Sequence, residues 1–147
     1  MLPPFALRAS SNEDAALFYD IAEQTMRAHV LAAGGTWDEE RRRRESADDS
    51  ANPNANIVLI DAAEAGILVV ERRPDEVYLH DLCLLPSYQG RGIGTAVVAA
   101  LQKEAAARRV PLRLQVLKVN PALRFYERLG FSVLEETEYF FHMQHAT

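Results

Sequence analysis

Apolar residues along the chain repeat at two spacings, and together these predict an alternation of strands and helices. A spacing of three and four predicts an amphipathic helix whose apolar face carries Leu17, Phe18, Ile21, Met26 and Val30. Short apolar or alternating runs predict strands. We expect strands over Phe5–Arg8, Asn56–Asp61, Gly66–Arg72, Val77–Leu85, Leu112–Val119, Phe131–Leu134 and Tyr139–Met143.

Capping residues place the two helices in the first third of the chain. Ser10 and Glu13 stand at capping-box spacing, and Gly34-Gly35 ends the helix that follows. The segment Thr36–Glu39 repeats the capping signal and opens a second, very polar helix. The stretch Asp48–Asn56 is rich in Asp, Asn, Ser and Pro and predicts a loop.

Turn and capping residues also divide the rest of the chain. Ala62–Ala65 predicts a tight turn, and the Ala-rich segment Gly92–Arg109 predicts a helix. Asn120-Pro121 starts a last helix, because Asn caps and Pro suits the first turn, and Leu129–Phe131 ends it. The order β-α-α-β-β-β-α-β-α-β-β predicts a mixed α/β domain around one sheet, and we expect residues 1–147 to form one domain.

Charge excludes one class of partner. The formal net charge of the 147 residues is −5, from 16 Lys+Arg against 21 Asp+Glu, which argues against a nucleic-acid-binding protein. The basic run Arg41–Arg44 is flanked by acidic residues and is interpreted as a solvated helix face, with a patch for an anionic partner as the alternative. The single cysteine, Cys83, excludes an intrachain disulfide.

Targeting and metal signals are missing from the sequence. The N-terminal segment has no basic region followed by an apolar core, and no apolar stretch approaches the ~20 residues of a membrane span. We therefore expect a cytoplasmic protein without a membrane partner. The histidines His29, His142 and His145 match no metal-ligand spacing, so no metal is expected.

The segment Leu82–Thr95, LCLLPSYQGRGIGT, carries the clearest chemical signal. A strand stops at Pro86, and a loop dense in glycine opens directly into a helix. Such a turn presents several backbone N–H groups, backed by the positive end of the helix dipole. It therefore predicts a site for a phosphate or pyrophosphate, and its glycines allow the ligand to approach the backbone closely.

Two common phosphate motifs do not fit this loop. The P-loop needs Gly-Lys-Ser/Thr, which is absent. The dinucleotide fingerprint G-x-G-x-x-G fails from Gly90, where its last position is Thr95, and from Gly92, where it is Val97.

The sequence resembles the GNAT superfamily of N-acetyltransferases in two blocks. Gln89–Gly94, QGRGIG, matches the family's acyl-CoA signature Q/R-x-x-G-x-G/A at every defined position. Asn120-Pro121-Ala122 followed by Phe125–Phe131, FYERLGF, is similar to a second family block. The predicted order of elements also follows the family fold, so the resemblance covers nearly the whole chain. It implies a central sheet of six or seven strands with four helices, splayed between the fourth and fifth strands.

The resemblance also implies where acetyl-CoA would be held. Backbone N–H groups of the loop would bind the pyrophosphate, and the splayed strand would free Leu82 and Leu84 to bond the thioester carbonyl and the pantetheine arm, with a backbone N–H stabilising the oxyanion. Cys83 and Asn120 would line the same site. The loop residues concerned are Gln89, Gly90, Arg91, Gly92, Ile93, Gly94 and Thr95.

Two catalytic residues are expected. By resemblance, Tyr126 would protonate the departing thiolate; the alternative is a helix tyrosine packed on the sheet. The attacking amine must be neutral, which calls for a base. If Leu82 faces the cofactor, period-two alternation puts His80 and Tyr78 on the same face and Asp81 on the opposite one, and histidine titrates in the right range. A half-buried histidine with a hydrogen-bonding role is the alternative.

The acceptor is less defined by the sequence. The family selects its amine with segments that correspond to Met26–Trp37, Ala47–Asn56 and Thr137–His142. Trp37 would line the acceptor pocket or anchor the core, and the aromatic residues from Tyr139 would line that pocket or a homodimer interface. We expect transfer of acetyl to a primary amine of a small molecule or peptide by direct attack; the alternative is a catalytically silent CoA-binding module.

Overall fold

The computed structural model describes residues 2–145, and these form one mixed sheet of seven strands with helices on both faces. The strands are β1 (Ala6–Ala9), β2 (Ala55–Ile60), β3 (Ala63–Arg72), β4 (Val77–Leu84), β5 (Leu112–Leu117), β6 (Ser132–Glu136) and β7 (Phe140–His145). The helices are α1 (Ala15–Ala32), α2 (Glu39–Ser50), α3 (Ile93–Arg108) and α4 (Leu123–Arg128). The predicted order of elements is confirmed.

The sheet is joined only weakly at its centre. Its strand order is β1-β2-β3-β4-β5-β7-β6, and every neighbouring pair is antiparallel except β4 and β5. These two parallel strands pair only over Val77–Leu79 and Leu112–Leu114. Beyond these residues the strands diverge, which confirms the expected splay between the fourth and fifth strands.

Apolar residues on the two faces of the sheet form separate cores. On one face, α3 contributes Ile93, Val97 and Leu101 to a cluster that extends from β2 to β7 and includes Tyr126 of α4. On the other face, Phe18 and Ile21 of α1 pack on residues of β2 and β3. The inner strand β3 is buried from Ala65 to Val70 because it faces both cores.

A β-bulge at His80 changes which side chains of β4 share a face. Val69 of β3 is opposite Asp81 and Val70 is opposite Leu79, so His80 is the extra residue. Leu79 and Leu82 therefore both contact the α3 core, whereas Cys83 packs on the α1 core.

The predicted assignment of β4 faces is wrong in part. Tyr78 and His80 do share a face, with ring centroids 4.7 Å apart. Leu82 is on the opposite side from them, while Asp81 lies on their side. Strict alternation fails because the bulge adds one residue to β4 and none to its partner strand.

Several element ends differ from the sequence predictions. The capping box is formed by Ser11 and Asp14, one residue later than Ser10 and Glu13. The polar helix α2 is capped by Asp38 instead of Thr36, and it continues to Ser50, into the segment predicted as a loop. Ser50 is fully buried, so tertiary packing extends α2 through residues of low helix propensity.

The hairpin between β2 and β3 is tighter than predicted. Its turn is Asp61-Ala62, with φ values of 49° and 66°, instead of Ala62–Ala65. Two consecutive positive φ values are typical of a type I′ turn, which usually contains Asn or Gly. Alanine is unusual there, and the sequence therefore did not indicate the exact position of the turn.

Candidate active site

The glycine-rich loop borders a cavity of about 540 Å³, which we call the loop cavity. It lies between the end of β4, the start of α3 and the start of α4. Many of the residues predicted to bind the cofactor line it, namely Leu82, Cys83, Leu84, Gln89, Gly90, Gly92, Gly94, Thr95 and Asn120. The fold thus brings both sequence blocks to one site.

The loop has the backbone shape that an anion site needs. Gly90 and Gly92 have φ values of 71° and 81°, a conformation that side chains disfavour. A Cβ at Gly90 would meet no protein atom within 4 Å, so the space before it is open. Ala96 N–H makes the first bond into α3, to Gly92 O at 3.0 Å. The preceding N–H groups of the first turn have no intrahelical acceptor and can serve a phosphate.

A second cavity of about 550 Å³, the acceptor cavity, opens on the α1 and α2 side of the splay. It is lined from β4 by residues 79–83, from β5 by residues 114–117 and from β7 by Phe140. One face of α2 adds Arg42, Glu45, Ser46 and Asp49 at helical spacing, and the following loop adds Asn52 and Asn54.

The two cavities meet where the sheet is splayed. Both are lined by Leu82, Cys83, Asn120 and Tyr126, together with Met26 and Ala122. Asn120 is held in place because its Oδ1 accepts the Ala122 N–H at 3.1 Å. A molecule in one cavity can therefore reach a molecule in the other at this junction.

Tyr126 is buried at the junction, with 6% of its surface exposed. Phe125 and Phe131 fix its ring by edge contacts at centroid distances of 5.0 and 5.5 Å. Desolvation raises the pKa of the Tyr126 phenol well above its usual value, and the nearby Asp81 carboxylate and Cys83 raise it further. Tyr126 therefore holds its proton at any physiological pH and can donate a hydrogen bond.

Asp81 and Cys83 form a polar pair beside Tyr126. The Cys83 thiol donates to Asp81 Oδ1 at 3.1 Å. Water still reaches the Asp81 side chain through the open cavity, but protein atoms surround it closely, and this desolvation raises the pKa of the Asp81 carboxyl. Desolvation, together with the negative charge of Asp81, also raises the pKa of Cys83, so this thiol is a poor nucleophile.

His80 lies at the rim of the acceptor cavity and contacts Glu71. His80 Nε2 and Glu71 Oε1 are 2.9 Å apart. Two hydrogen bonds from Arg73 and one from His80 lower the pKa of Glu71 to about 2, so Glu71 is ionised. Arg73 also donates to Glu76 at 2.6 Å, and Glu76 accepts from Arg113 at 3.1 Å.

The acceptor cavity has more acidic than basic groups. Desolvation raises the pKa of Asp49, and the charges of Asp81, Glu45 and Asp48 raise it further. Among residues 2–145, no cation pairs with the Asp49 side chain. Arg42 is the one arginine in the lining, and its guanidinium lies over the Trp37 ring at 4.5 Å. A cationic guest would relieve this negative charge.

Four residues predicted for the site lie outside both cavities. Ile93 is 2% exposed and belongs to the core. The exposed Arg91 lies over the Tyr88 ring at 5.2 Å. The Trp37 indole N–H donates to Tyr19 Oη at 3.1 Å, which agrees with the alternative that Trp37 is an anchoring residue. Tyr78 lies between His80 and Arg73, away from the cavity lining.

Sequence reasoning missed several lining residues. Thr25, His29, Phe125 and Arg128 line the loop cavity, and Asp49 and Glu71 line the acceptor cavity. Arg128 belongs to the FYERLGF block and could have been identified there as the basic residue facing the loop. Asp49 lies in the segment Ala47–Asn56 that was expected to select the acceptor, but no pattern distinguished it from its polar neighbours.

Two features are absent from the described part of the chain. Over residues 2–145, no helix is long and apolar enough to cross a membrane. In the same part of the chain, no three His, Cys, Asp or Glu side chains come together as a metal site.

Similarity to known proteins agrees with this geometry. The sequence profile described as "Acetyltransferase (GNAT) domain" matches residues 53–133, which is more than half of the chain. No curated protein sequence matches the chain significantly.

Solved structures share the fold at low sequence identity. PaiA N-acetyltransferase from Thermoplasma acidophilum, solved in complex with coenzyme A, has a TM-score of 0.75 at 18% identity, covering 98% of this chain and 99% of its own. Apo YjaB from Escherichia coli has a TM-score of 0.77 at 16% identity, covering 97% of both chains. A GCN5-related N-acetyltransferase from Rhodopseudomonas palustris has a TM-score of 0.70 at 23% identity, covering 100% of this chain and 98% of its own. On the profile match, the chain belongs to the GNAT family of acetyltransferases.

Proposed function

We propose that this protein transfers an acetyl group from acetyl-CoA to a primary amine of a small molecule or peptide by direct attack in a ternary complex. The observation that carries the proposal is the meeting of the loop cavity and the acceptor cavity at Tyr126 and Cys83. Two cavities that share one junction allow both substrates to be bound at once, so that proximity lowers the barrier to transfer.

The loop cavity fits acetyl-CoA, which would supply the acetyl group as a thioester. The N–H groups of Gln89–Thr95 would hold the pyrophosphate, and Arg128 would add positive charge. Gln89 Nε2 donates to Leu84 O at 2.9 Å and so ties the loop to the end of β4. The N–H groups of Leu82 and Leu84 would bond the acetyl carbonyl and the pantetheine arm. The complex of PaiA N-acetyltransferase with coenzyme A supports this assignment.

Tyr126 would stabilise the departing thiolate. A thiol has an ordinary pKa of ~8.5 and a phenol one of ~10, and burial raises the pKa of Tyr126 further. Complete proton transfer to the thiolate would therefore be uphill. We expect Tyr126 to donate a strong hydrogen bond to the sulfur, with protonation completed from solvent.

His80 would accept the proton that the amine loses on attack. Its position at the rim of the acceptor cavity supports this role, and Asp81 is a second candidate because it lies on the same face. Glu76 is a poorer base, since Arg73 and Arg113 hold its carboxylate and lower its pKa against the opposing effect of burial. Tyr78 is poorer too, because desolvation raises its pKa.

The acidic lining of the acceptor cavity supports an amine acceptor. Amines are mostly protonated in solution, and the cavity offers the carboxyl groups of Asp49 and Asp81 to an ammonium group. The base then removes the proton inside the cleft. We also propose that residues 1–147 act as one domain, since strands from Ala6 to His145 lie in a single sheet.

A panel of amines assayed for release of free CoA from acetyl-CoA tests the proposal. We expect turnover with at least one primary amine and acetylated product of the corresponding mass. Gly92→Val, which disturbs the loop, serves as the control for background hydrolysis. Acetyl-CoA binding without transfer to any amine would contradict the proposal and favour a catalytically silent CoA-binding module.

A further inference from the structure

Glu71 is the side chain that pairs with a ring nitrogen of His80, and it belongs to a different strand. The bulge displaces His80 from the β3–β4 ladder, and its Nε2 comes to 2.9 Å from Glu71 Oε1. An ionised carboxylate can only accept hydrogen bonds, so Nε2 must carry the proton in this contact. The neutral ring then has Nδ1 as its acceptor nitrogen.

Glu71 is itself held firmly. Arg73 donates to both of its oxygens, at 2.9 and 3.1 Å, and the same guanidinium donates to Glu76 at 2.6 Å. Arg113 of β5 reaches Glu76 at 3.1 Å. Arg73, in the turn after β3, therefore fixes the carboxylate that meets His80, and Glu76 and Arg113 in turn hold Arg73 in place.

We propose that Glu71 is a positioning residue for this acetyltransferase, which holds His80 through Nε2 and leaves Nδ1 to take the proton of the acceptor amine. The inference rests on the proposed function. As the amine nitrogen bonds to the acetyl carbon and the thiolate leaves with its electron pair, the amine proton passes to Nδ1. The resulting imidazolium is stabilised by the negative charge of Glu71.

The other charged or titratable groups around His80 are the same in the native protein and in any Glu71 variant. They come from β4, from the turn before it and from α2, and they are Arg73, Glu76, Tyr78, Asp81, Arg42, Glu45 and Asp49. The variant Glu71→Gln therefore isolates the one charge in contact with Nε2 and keeps its shape.

The matched control is Glu104→Gln. Glu104 also forms a two-point pair with an arginine, Arg72, at 2.7 and 3.0 Å, but it contacts no histidine. Its loss reproduces the effect of a broken ion pair on stability without changing the surroundings of His80.

The first measurement is a nitrogen-15 NMR titration of the full chain without acetyl-CoA. We expect the His80 ring in the native protein to carry its neutral-state proton on Nε2. In Glu71→Gln the midpoint of its titration should fall by roughly half a pH unit, as expected for the loss of an exposed ion pair. The midpoint in Glu104→Gln should stay at the native value.

The second measurement is the pH profile of kcat/KM. We expect the acid limb in Glu71→Gln to move to lower pH by the same amount, with a plateau about threefold lower because the base is weaker. An unchanged NMR midpoint would overturn the pairing. A shifted midpoint with an unmoved acid limb would overturn the role of Glu71 in positioning the base. A shifted midpoint without turnover of any amine would instead contradict the proposed function alone.

Discussion

Tyr126 is the side chain whose surroundings most constrain the chemistry at the junction. Tyr126→Phe keeps the ring and its contacts with Phe125 and Phe131, so folding should change little. Turnover should fall by about 10²-fold, the lower end of typical acid–base contributions, because the thiolate loses its hydrogen bond. The affinity for acetyl-CoA should stay within about twofold. Steady-state kinetics and calorimetry on the same preparation measure both.

The control for this variant is Tyr139→Phe, since Tyr139 is 65% exposed and lines neither cavity. It should match the parent in both measurements. Equal turnover of Tyr126→Phe and the parent across the pH range would remove Tyr126 from the mechanism.

Asp81 should destabilise the folded protein at neutral pH. Because desolvation raises its pKa, the folded state holds the proton more tightly than the unfolded chain, whose carboxyl titrates near its ordinary value of 3.8. The stability that this protonated carboxyl contributes is present at low pH. It is lost as the pH rises from the ordinary value through the raised one.

Asp81→Asn should therefore raise the melting temperature by a few degrees at pH 7 and by much less at pH 4. Melting curves of parent and variant at the two pH values measure the difference. Asp75 is an exposed carboxyl in the turn before β4, and Asp75→Asn should leave the melting temperature unchanged at both pH values. A lower melting temperature for Asp81→Asn at pH 7 would mean that the contacts from Cys83 and the Leu82 backbone outweigh desolvation.

Individual residues were predicted best where a motif specified them. Tyr126 and the loop glycines could be located from two sequence blocks, and the fold brings them together. The partners of His80 could not be located from the sequence, because Glu71 reaches His80 across a bulge that depends on the pairing of two strands. Trp37 had two alternatives, and only its contacts with Tyr19 and Arg42 distinguish them.

At the scale of elements, the loop between β4 and α3 depends on backbone conformation as much as on open space. Gly92 caps α3 with φ at 81°, and a Cβ there would lie 3.4 Å from Pro3 Cδ, so Gly92→Val strains the loop. We expect acetyl-CoA affinity to fall by at least about 100-fold. Gly34→Val is the matched control, because Gly34 has φ at 84° and ends α1 with no atom within 4 Å of its Cβ position.

Both valine variants should lose a similar amount of stability, on the order of 1 kcal/mol, from the left-handed conformation. Calorimetric titration with acetyl-CoA separates them, since Gly34→Val should bind like the parent. Equal affinities for the two variants would mean that the pyrophosphate does not bind this loop.

The order and type of the elements could be predicted because hydrophobic spacing is a local property. Their ends were less predictable where tertiary contacts decide them. The C-terminal turn of α2 forms because Ser46 and Ser50 are buried against neighbouring segments. The divergence of β4 and β5 followed from family resemblance alone, because no pattern within either strand shows how many residues pair.

On the scale of the whole molecule, the splay divides the sheet into two parts. Strands β1–β4 form one part and β5, β7 and β6 the other, and only three residue pairs join them. The core beneath α3 includes residues of both parts, from Val58 to Met143, and so keeps them together. The loop cavity is lined from both parts as well, by β4 and α3 on one side and by residues 120–126 on the other.

Acetyl-CoA should therefore protect both parts of the molecule from amide hydrogen exchange. A micromolar dissociation constant corresponds to roughly −8 kcal/mol, and ligand at 100 times that constant stabilises the native state by about 2.7 kcal/mol. We expect slower exchange at residues 82–84 and 89–95 and also at 120–126, because the ligand would contact each segment. The edge strand β6, which lines neither cavity, should gain the least protection from exchange. Protection confined to the loop would show that the ligand binds by its phosphates alone, without entering the splay where transfer is proposed to occur.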